Sequence, residues 1–297
     1  MPKEPIRHHY IPQFILRNFA CNDERQVQYC DKRTREISIR DTREIFMECN
    51  LYRDEVNCSQ SPVQIERDLS VYEREAAQLI KDKFLRGRKI ELTKQEDAML
   101  KLFFAIMGFR NIQAKNQFAE NLTQESKEFY KYFQPNEDFE DFWKRNLGLL
   151  VKCRSLAEVE SNIDIDLPIR LFMRRDVNGL TKRHFIIVEP KEGDGFILGD
   201  VYPLSVSGTL PGIPGSIPIY DVFIISPKRA IILACNEANV VNRDILSMRP
   251  GIFDISEQST DGHIHIITKR LLLEEVQEIN RKVEQASNEG FVYLKTK

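Results

Sequence analysis

At 297 residues, 42% apolar and 30% charged, the chain can bury a sizeable core without disulfides or metals, which sets it far from disordered compositions. Its 43 Lys+Arg against 45 Asp+Glu leave a formal charge of −2, which excludes a global field drawing it onto nucleic acid or anionic lipid. No apolar run approaches the roughly 20 residues of a membrane span, and Met1 to Arg7 lacks a signal peptide's apolar stretch, so cytoplasmic residence and no membrane partner are expected.

Pro12 stands where a helix can begin, and Phe14, Ile15, Leu16 and Phe19 follow at helical spacing, so a short N-terminal helix is predicted. Gln26 to Cys30 and Glu36 to Arg40 alternate polar with apolar around a charged turn and read as a hairpin, with Asn50-Leu51-Tyr52 as a further edge. Ser61-Pro62 with Gln64 forms a capping box, and Ile65, Leu69, Tyr72, Ala76, Leu79 and Phe84 make the apolar stripe of a helix that Gly87 ends. Thr93-Lys94-Gln95-Glu96 repeats that box before a run from Met99 to Phe109 that is apolar around nearly its whole circumference, the pattern of a helix central to a bundle. Residues 116–150 carry two further helical patterns broken at Gln134-Pro135, with Trp143 among charged neighbours.

After residue 180 the pattern becomes short β-branched runs at 184–188, 195–198, 222–225 and 230–234, expected as strands of one sheet. Val201 to Tyr220, rich in Pro, Gly and Ser, reads as a long ordered loop of the kind that often carries function. Leu271, Leu272, Val276, Ile279 and Val283 place an amphipathic helix from about Thr268 to Ser287, and Phe291 to Leu294 supply a last strand. The expectation is a single α+β domain over 1–297, a helical N-terminal part packed on a mainly antiparallel sheet from the C-terminal half. Its sub-parts are 1–60 (short helix plus hairpin), 61–180 (helical bundle) and 181–297 (sheet with C-terminal helix). Six cysteines with no Cys-x-x-Cys pair point to reduced thiols rather than a scaffold or zinc site.

The opening His8-His9-Tyr10-Ile11-Pro12-Gln13-Phe14-Ile15-Leu16-Arg17-Asn18-Phe19 resembles the N-terminal motif of domain-of-unknown-function family 4238, found widely in bacteria. Members read His-His-Tyr-x-Pro-Gln-x-x-Leu-x-x-Phe. Asn50-Leu51-Tyr52 looks like the family's short aromatic motif, and Ile65-Glu66 through Glu73 and Ala77 like its glutamate-containing helix. Phe196 to Leu204 is similar to its Phe-x-Thr-Ser-Asp-x-Pro strand, with Asp200 and Pro203 in the matching places, and Val222 to Ala230 to its later Pro-Leu-Ser-Pro strand. The chain departs where relatives set a small hydroxyl residue before the aspartate, having Leu198-Gly199 there. The resemblance spans most of the chain and implies no assigned activity.

Adjacent histidines ahead of a helix-starting proline offer an imidazole as general base or metal ligand. The string is superficially similar to the first motif of His-Asn-His endonucleases, whose remaining partners here are limited to Asn50 and, on the Ser61 helix, Glu66 or Asp68. The opposing reading has His9 capping the N-terminal helix while Tyr10 packs. Glu66 and Glu73, two helical turns apart, share a face; Asp200 follows a strand; Arg110 closes an apolar helix and calls for a carboxylate such as Glu66 or Glu73, or for the helix C-terminal dipole.

Two functions follow. The first is a metal-dependent phosphodiesterase or nuclease-like effector, a bacterial toxin or antiphage protein, with His8, His9 and Glu66 catalytic. Its metal, Mg or Mn, is held by His9, Asn50 and Asp200, supported by Gln13, Glu73 and Arg110, and its partner is nucleic acid. The second is a non-catalytic sensing or protein-interaction module with a structural His-His-Tyr motif. Phosphate-loop, dinucleotide and serine-elbow motifs are absent from the sequence.

Overall fold

Of the two expected capping boxes, the one at Thr93 forms in the computed structural model and sets where a helix begins, whereas at Ser61 the two side chains bond to each other and the Gln64 amide goes to the Ser61 carbonyl. Thr93 and Glu96 exchange bonds, Thr93 N–H to Glu96 Oε2 at 2.8 Å and Glu96 N–H to Thr93 Oγ1 at 3.2 Å, while the Ser61 hydroxyl donates to Gln64 Oε1 at 3.2 Å. The structure describes residues 6–22, 25–87, 89–111, 115–116, 131–170, 173, 183–193, 195–208, 217–234, 249, 251–253 and 261–294.

In chain order the elements are β1 (Arg7–His9), α1 (Gln13–Arg17), β2 (Gln26–Asp31), β3 (Ile37–Asp41), β4 (Met47–Cys49), α2 (Gln64–Leu79) continued by a π-helical turn (Ile80–Phe84), β5 (Ile90–Thr93), α3 (Lys94–Phe109), α4 (Phe139–Leu150) and α5 (Leu156–Ser161). Then come β6 (His184–Pro190), β7 (Leu198–Gly199), β8 (Leu204–Gly208), β9 (Ile217–Ser226), β10 (Arg229–Ala234), β11 (His263–Leu271), α6 (Leu273–Ala286) and β12 (Gly290–Tyr293). The chain is a mixed helix-and-sheet protein whose strands pair mostly antiparallel.

It divides into two compact units, each assembled from separated stretches. The first comprises Met1–Tyr10, Phe46–Gln78 and Ala98–Asn178; the second Ile11–Ile45, Leu79–Asp97 and Gly179–Lys297. These cut across the expected sub-parts because the chain passes between the units repeatedly, twice within a helix.

In the first unit β1 pairs antiparallel with β4, His8 opposite Glu48. α3 buries residues on every side, from Leu100 to Phe109, as its all-round apolar pattern requires, and Tyr72 of α2 packs on Phe103. Trp143 and Phe142 of α4 are fully enclosed. Asp138 caps α4, accepting the Asp141 amide at 2.8 Å. Residues 117–130, the first of the two helical patterns expected beyond 116, lie outside the described residues.

The second unit holds both larger sheets. One has six strands in the order β5-β11-β6-β10-β9-β8, in which only β11 and β6 run parallel; the other has four, β3-β2-β12-β7. The expected division into a helical N-terminal and a sheet-forming C-terminal half therefore gives way to early strands, since the hairpin of β2 and β3 and strand β5 are integral to the sheets. β7 also leaves the sheet it was assigned to, pairing with β12 in the four-stranded one.

Three boundaries change for local reasons. Leu204-Ser205-Val206-Ser207 alternates buried with exposed and forms β8, so the described part of the expected loop 201–220 is largely strand, with 209–216 outside the described residues. Alternation through His263 to Ile266 carries β11 on to Leu271, and the last helix starts only where Glu275 accepts the Leu272 amide at 2.7 Å. Asn50 does not extend an edge. It adopts φ 59°, and its carbonyl accepts the Arg53 amide at 2.9 Å in a turn after β4.

Candidate functional site

A helix end leaves its last carbonyls without intrahelical donors, and at the end of α3 two aromatic side chains supply them. Trp143 donates its indole N–H to the Phe109 carbonyl at 3.0 Å, and the Tyr52 hydroxyl donates to the Arg110 carbonyl at 3.2 Å. Both rings bury apolar area while their polar atoms find partners. Their centroids lie 5.9 Å apart.

Arg110, 1% exposed, turns its guanidinium back into the first unit. One nitrogen donates to Glu73 Oε1 and another to the His9 carbonyl, while the guanidinium carbon stands 5.4 Å from the centre of the Tyr52 ring. Nε has no partner among the described residues. Burial works against the charge of Arg110, but Tyr52, Glu73 and Glu66 outweigh it and hold the group protonated beyond its ordinary range.

His8 is 0% exposed. Its ring stacks on Tyr52 at 5.5 Å and 5°, and its Nδ1 accepts the Tyr52 backbone N–H at 2.8 Å. An accepting Nδ1 carries no proton, so this bond assigns a neutral ring with its hydrogen on Nε2. Tyr52 is thus tied at both ends, its amide to His8 and its hydroxyl to the end of α3. Burial pushes the phenol above its ordinary value, against the pull of Arg110.

Glu66 completes the cluster. It lies two turns before Glu73 on α2, and burial pushes its carboxyl up to about 7, opposed by Arg110 and reinforced by Glu73. One carboxylate is therefore paired with the guanidinium while its neighbour holds a proton near neutrality. Such division of roles between two carboxyls marks many acid–base sites, and occurs in structural ion-pair networks as well.

The remaining proposed residues are engaged as follows. Asn50 is exposed, on the rim of an open cavity of about 320 Å³ with Glu48, Arg53, Lys115, Glu140 and Lys144, where both lysines pair with Glu140 at 3.0 and 2.6 Å. Gln13 belongs to the second unit and accepts from Arg17 at 2.8 Å. Asp200, also in the second unit, accepts the amides of Asn288 and Glu289 at 2.8 and 2.6 Å and so fixes the turn between α6 and β12. Burial pushes its carboxyl up while those amides pull it down. His9 does not cap α1, whose N-cap is Pro12 without a side-chain bond; its carbonyl serves Arg110 instead. Tyr10 packs as expected, 4% exposed against Phe46.

As a metal centre the set fits poorly. His8 Nδ1 is engaged by an amide, the oxygens of Asp200 serve a turn, and among the described residues no three His, Cys, Asp or Glu side chains group to hold an ion. Cys21, Cys30, Cys49, Cys58 and Cys153 carry free thiols.

Two members of the cluster escaped the sequence reading. Tyr52 stood only in an aromatic motif, and Trp143 only among charges, although Phe139, Phe142, Trp143, Leu147 and Leu150 fall at helical spacing and a tryptophan so placed needs an acceptor. In the second unit, buried Arg183 donates to Asp221, which also accepts the Ser205 hydroxyl at 2.6 Å, a network with no sequence signature.

Residues 7–297 match the model of a family described as protein of unknown function (DUF4238). No curated protein and no solved structure matches the chain.

Proposed function

The chain belongs to the DUF4238 family, whose description assigns no activity, and from the geometry of the first unit we propose that it is a non-catalytic sensing or protein-interaction module in which the His-His-Tyr segment is a structural brace. The observation that carries this reading is the burial of His8 with Nδ1 spent on the Tyr52 amide at 2.8 Å. A general base needs a free lone pair within reach of a substrate proton, and this one is occupied and enclosed. Arg110 supports the same reading, since two of its nitrogens are committed to Glu73 and the His9 carbonyl rather than held open for a phosphate.

A metal-dependent phosphodiesterase or nuclease-like effector, with toxin or antiphage activity in bacterial cytoplasm, is the second reading. The carboxyl of Glu66, pushed up to about 7 beside Arg110, favours it as a group able to exchange protons near neutrality. Incubating the protein with single- and double-stranded DNA and RNA in Mg²⁺, Mn²⁺ or EDTA separates the two. The brace reading expects no metal-dependent cleavage above the EDTA control. Cleavage that disappears in Glu66→Gln, with folding intact, would establish the effector instead.

A further inference from the structure

β3 forms one end of the four-stranded sheet, and its far side carries no strand among the described residues. Ile37 and Ile39 on it are 62% and 54% exposed. A bare edge of this kind is a template for a further strand unless charges, bulges or prolines blunt it.

The hydrogen-bond register shows which groups are free. Asp31 N–H donates to the Glu36 carbonyl at 3.0 Å and Thr42 N–H to the Arg25 carbonyl at 3.1 Å, and Tyr29 stands opposite Ser38. In an antiparallel ladder such bonds recur at alternate residues, so 36, 38, 40 and 42 face β2, whereas the N–H and C=O of Ile37 and Ile39 point outward; the Asp41 carbonyl accepts the Glu44 amide at 2.9 Å.

The sequence along this edge is self-complementary. Glu36-Ile37-Ser38-Ile39-Arg40 reads, outward from Ser38, isoleucine against isoleucine and acid against base. A second copy laid antiparallel about a two-fold axis at Ser38 sets Ile37 opposite Ile39 and Glu36 opposite Arg40, each twice. It also makes Ile37 and Ile39 the hydrogen-bonded pair, which the outward direction of their amides and carbonyls requires. Centring on Ile39 instead sets Ile37 against Asp41 and loses the charge matching.

We propose that two copies of this chain associate through β3, antiparallel about Ser38, joining their four-stranded sheets into one. A two-fold interface of this kind is isologous, so its complementarity must lie within one segment, as it does here. The five residues of β3 bury less than the roughly 1,600 Å² of a standard interface, which places the association in the micromolar range or weaker.

Sedimentation equilibrium over roughly 10–500 µM spans that range. The wild type should approach twice the chain mass. Glu36→Arg and Arg40→Glu each set like charges opposite one another twice and should weaken self-association about tenfold or more, while an equimolar mixture of the two variants recovers it as a heterodimer. Because Arg40 lies over the Tyr29 ring at 4.2 Å, Ile39→Lys, which touches only the exposed face, serves as the companion variant and should be monomeric. A wild type that stays monomeric throughout overturns the proposal, as does association undiminished in both Glu36→Arg and Ile39→Lys.

Discussion

Replacing Glu66 by Gln isolates the cost of ionising a carboxyl inside the first unit. Its pKa rises from an ordinary 4.5 to about 7 in the folded chain, first through burial, with Arg110 opposing and Glu73 adding. A carboxyl that binds its proton more tightly when folded lends stability that is complete below 4.5 and is lost as pH rises through 7. Each tenfold change in proton affinity is worth about 1.4 kcal/mol, so the loss sums to about 3 kcal/mol once both states are ionised. Glutamine keeps the shape of the protonated group and cannot ionise. Urea unfolding of both proteins from pH 5 to pH 9 should show the wild type losing stability relative to Glu66→Gln, with the gap opening by about 3 kcal/mol and levelling above pH 8. Parallel stability curves across that range would refute the assignment of a protonated Glu66.

Arg110→Ala removes both donors from Glu73 and the His9 carbonyl and should cost about 3–5 kcal/mol in urea unfolding, the toll of breaking a largely buried pair. Arg110→Lys should recover only part of it, because one ammonium cannot reproduce the planar fork. At Gly199 a Cβ would stand 2.1 Å from the Ser287 hydroxyl oxygen and 3.0 Å from Val283 Cγ1, so Gly199→Ala should lower stability by about 1–3 kcal/mol. The double variant Gly199→Ala/Ser287→Gly should lose less than the two single changes summed, read in a double-mutant cycle of thermal unfolding.

What the sequence conveyed depended on how local the determining forces are. The capping box at Thr93, the apolar circumference of α3 and the hairpin of β2 and β3 are set by neighbours in the chain, and all appear where the pattern puts them. Sheet membership is not local. β7 is two residues long, and nothing in Leu198-Gly199 announces that it pairs with β12, where Gly199 admits α6 closely enough for Ser287 to occupy the space a side chain would take. At the candidate site, the shared face of Glu66 and Glu73 and the pairing of Arg110 followed from helical spacing. The role of His8 did not, because it rests on one ring nitrogen meeting the amide of Tyr52, 44 residues further along the chain. Asp200 braces the turn between α6 and β12 within its own unit, a contact 88 residues away in the chain that no periodicity announces.

The central claim, that His8 is a brace, is tested most directly by urea unfolding of His8→Ala beside His8→Asn. Alanine removes both the acceptor for the buried Tyr52 amide and the stacked ring, whereas the asparagine oxygen stands close to the position of Nδ1 and keeps the acceptor. His8→Ala should therefore lose about 2–4 kcal/mol and His8→Asn about half as much. An alanine variant as stable as the wild type, or more stable, would contradict the claim and return His8 to the list of functional groups.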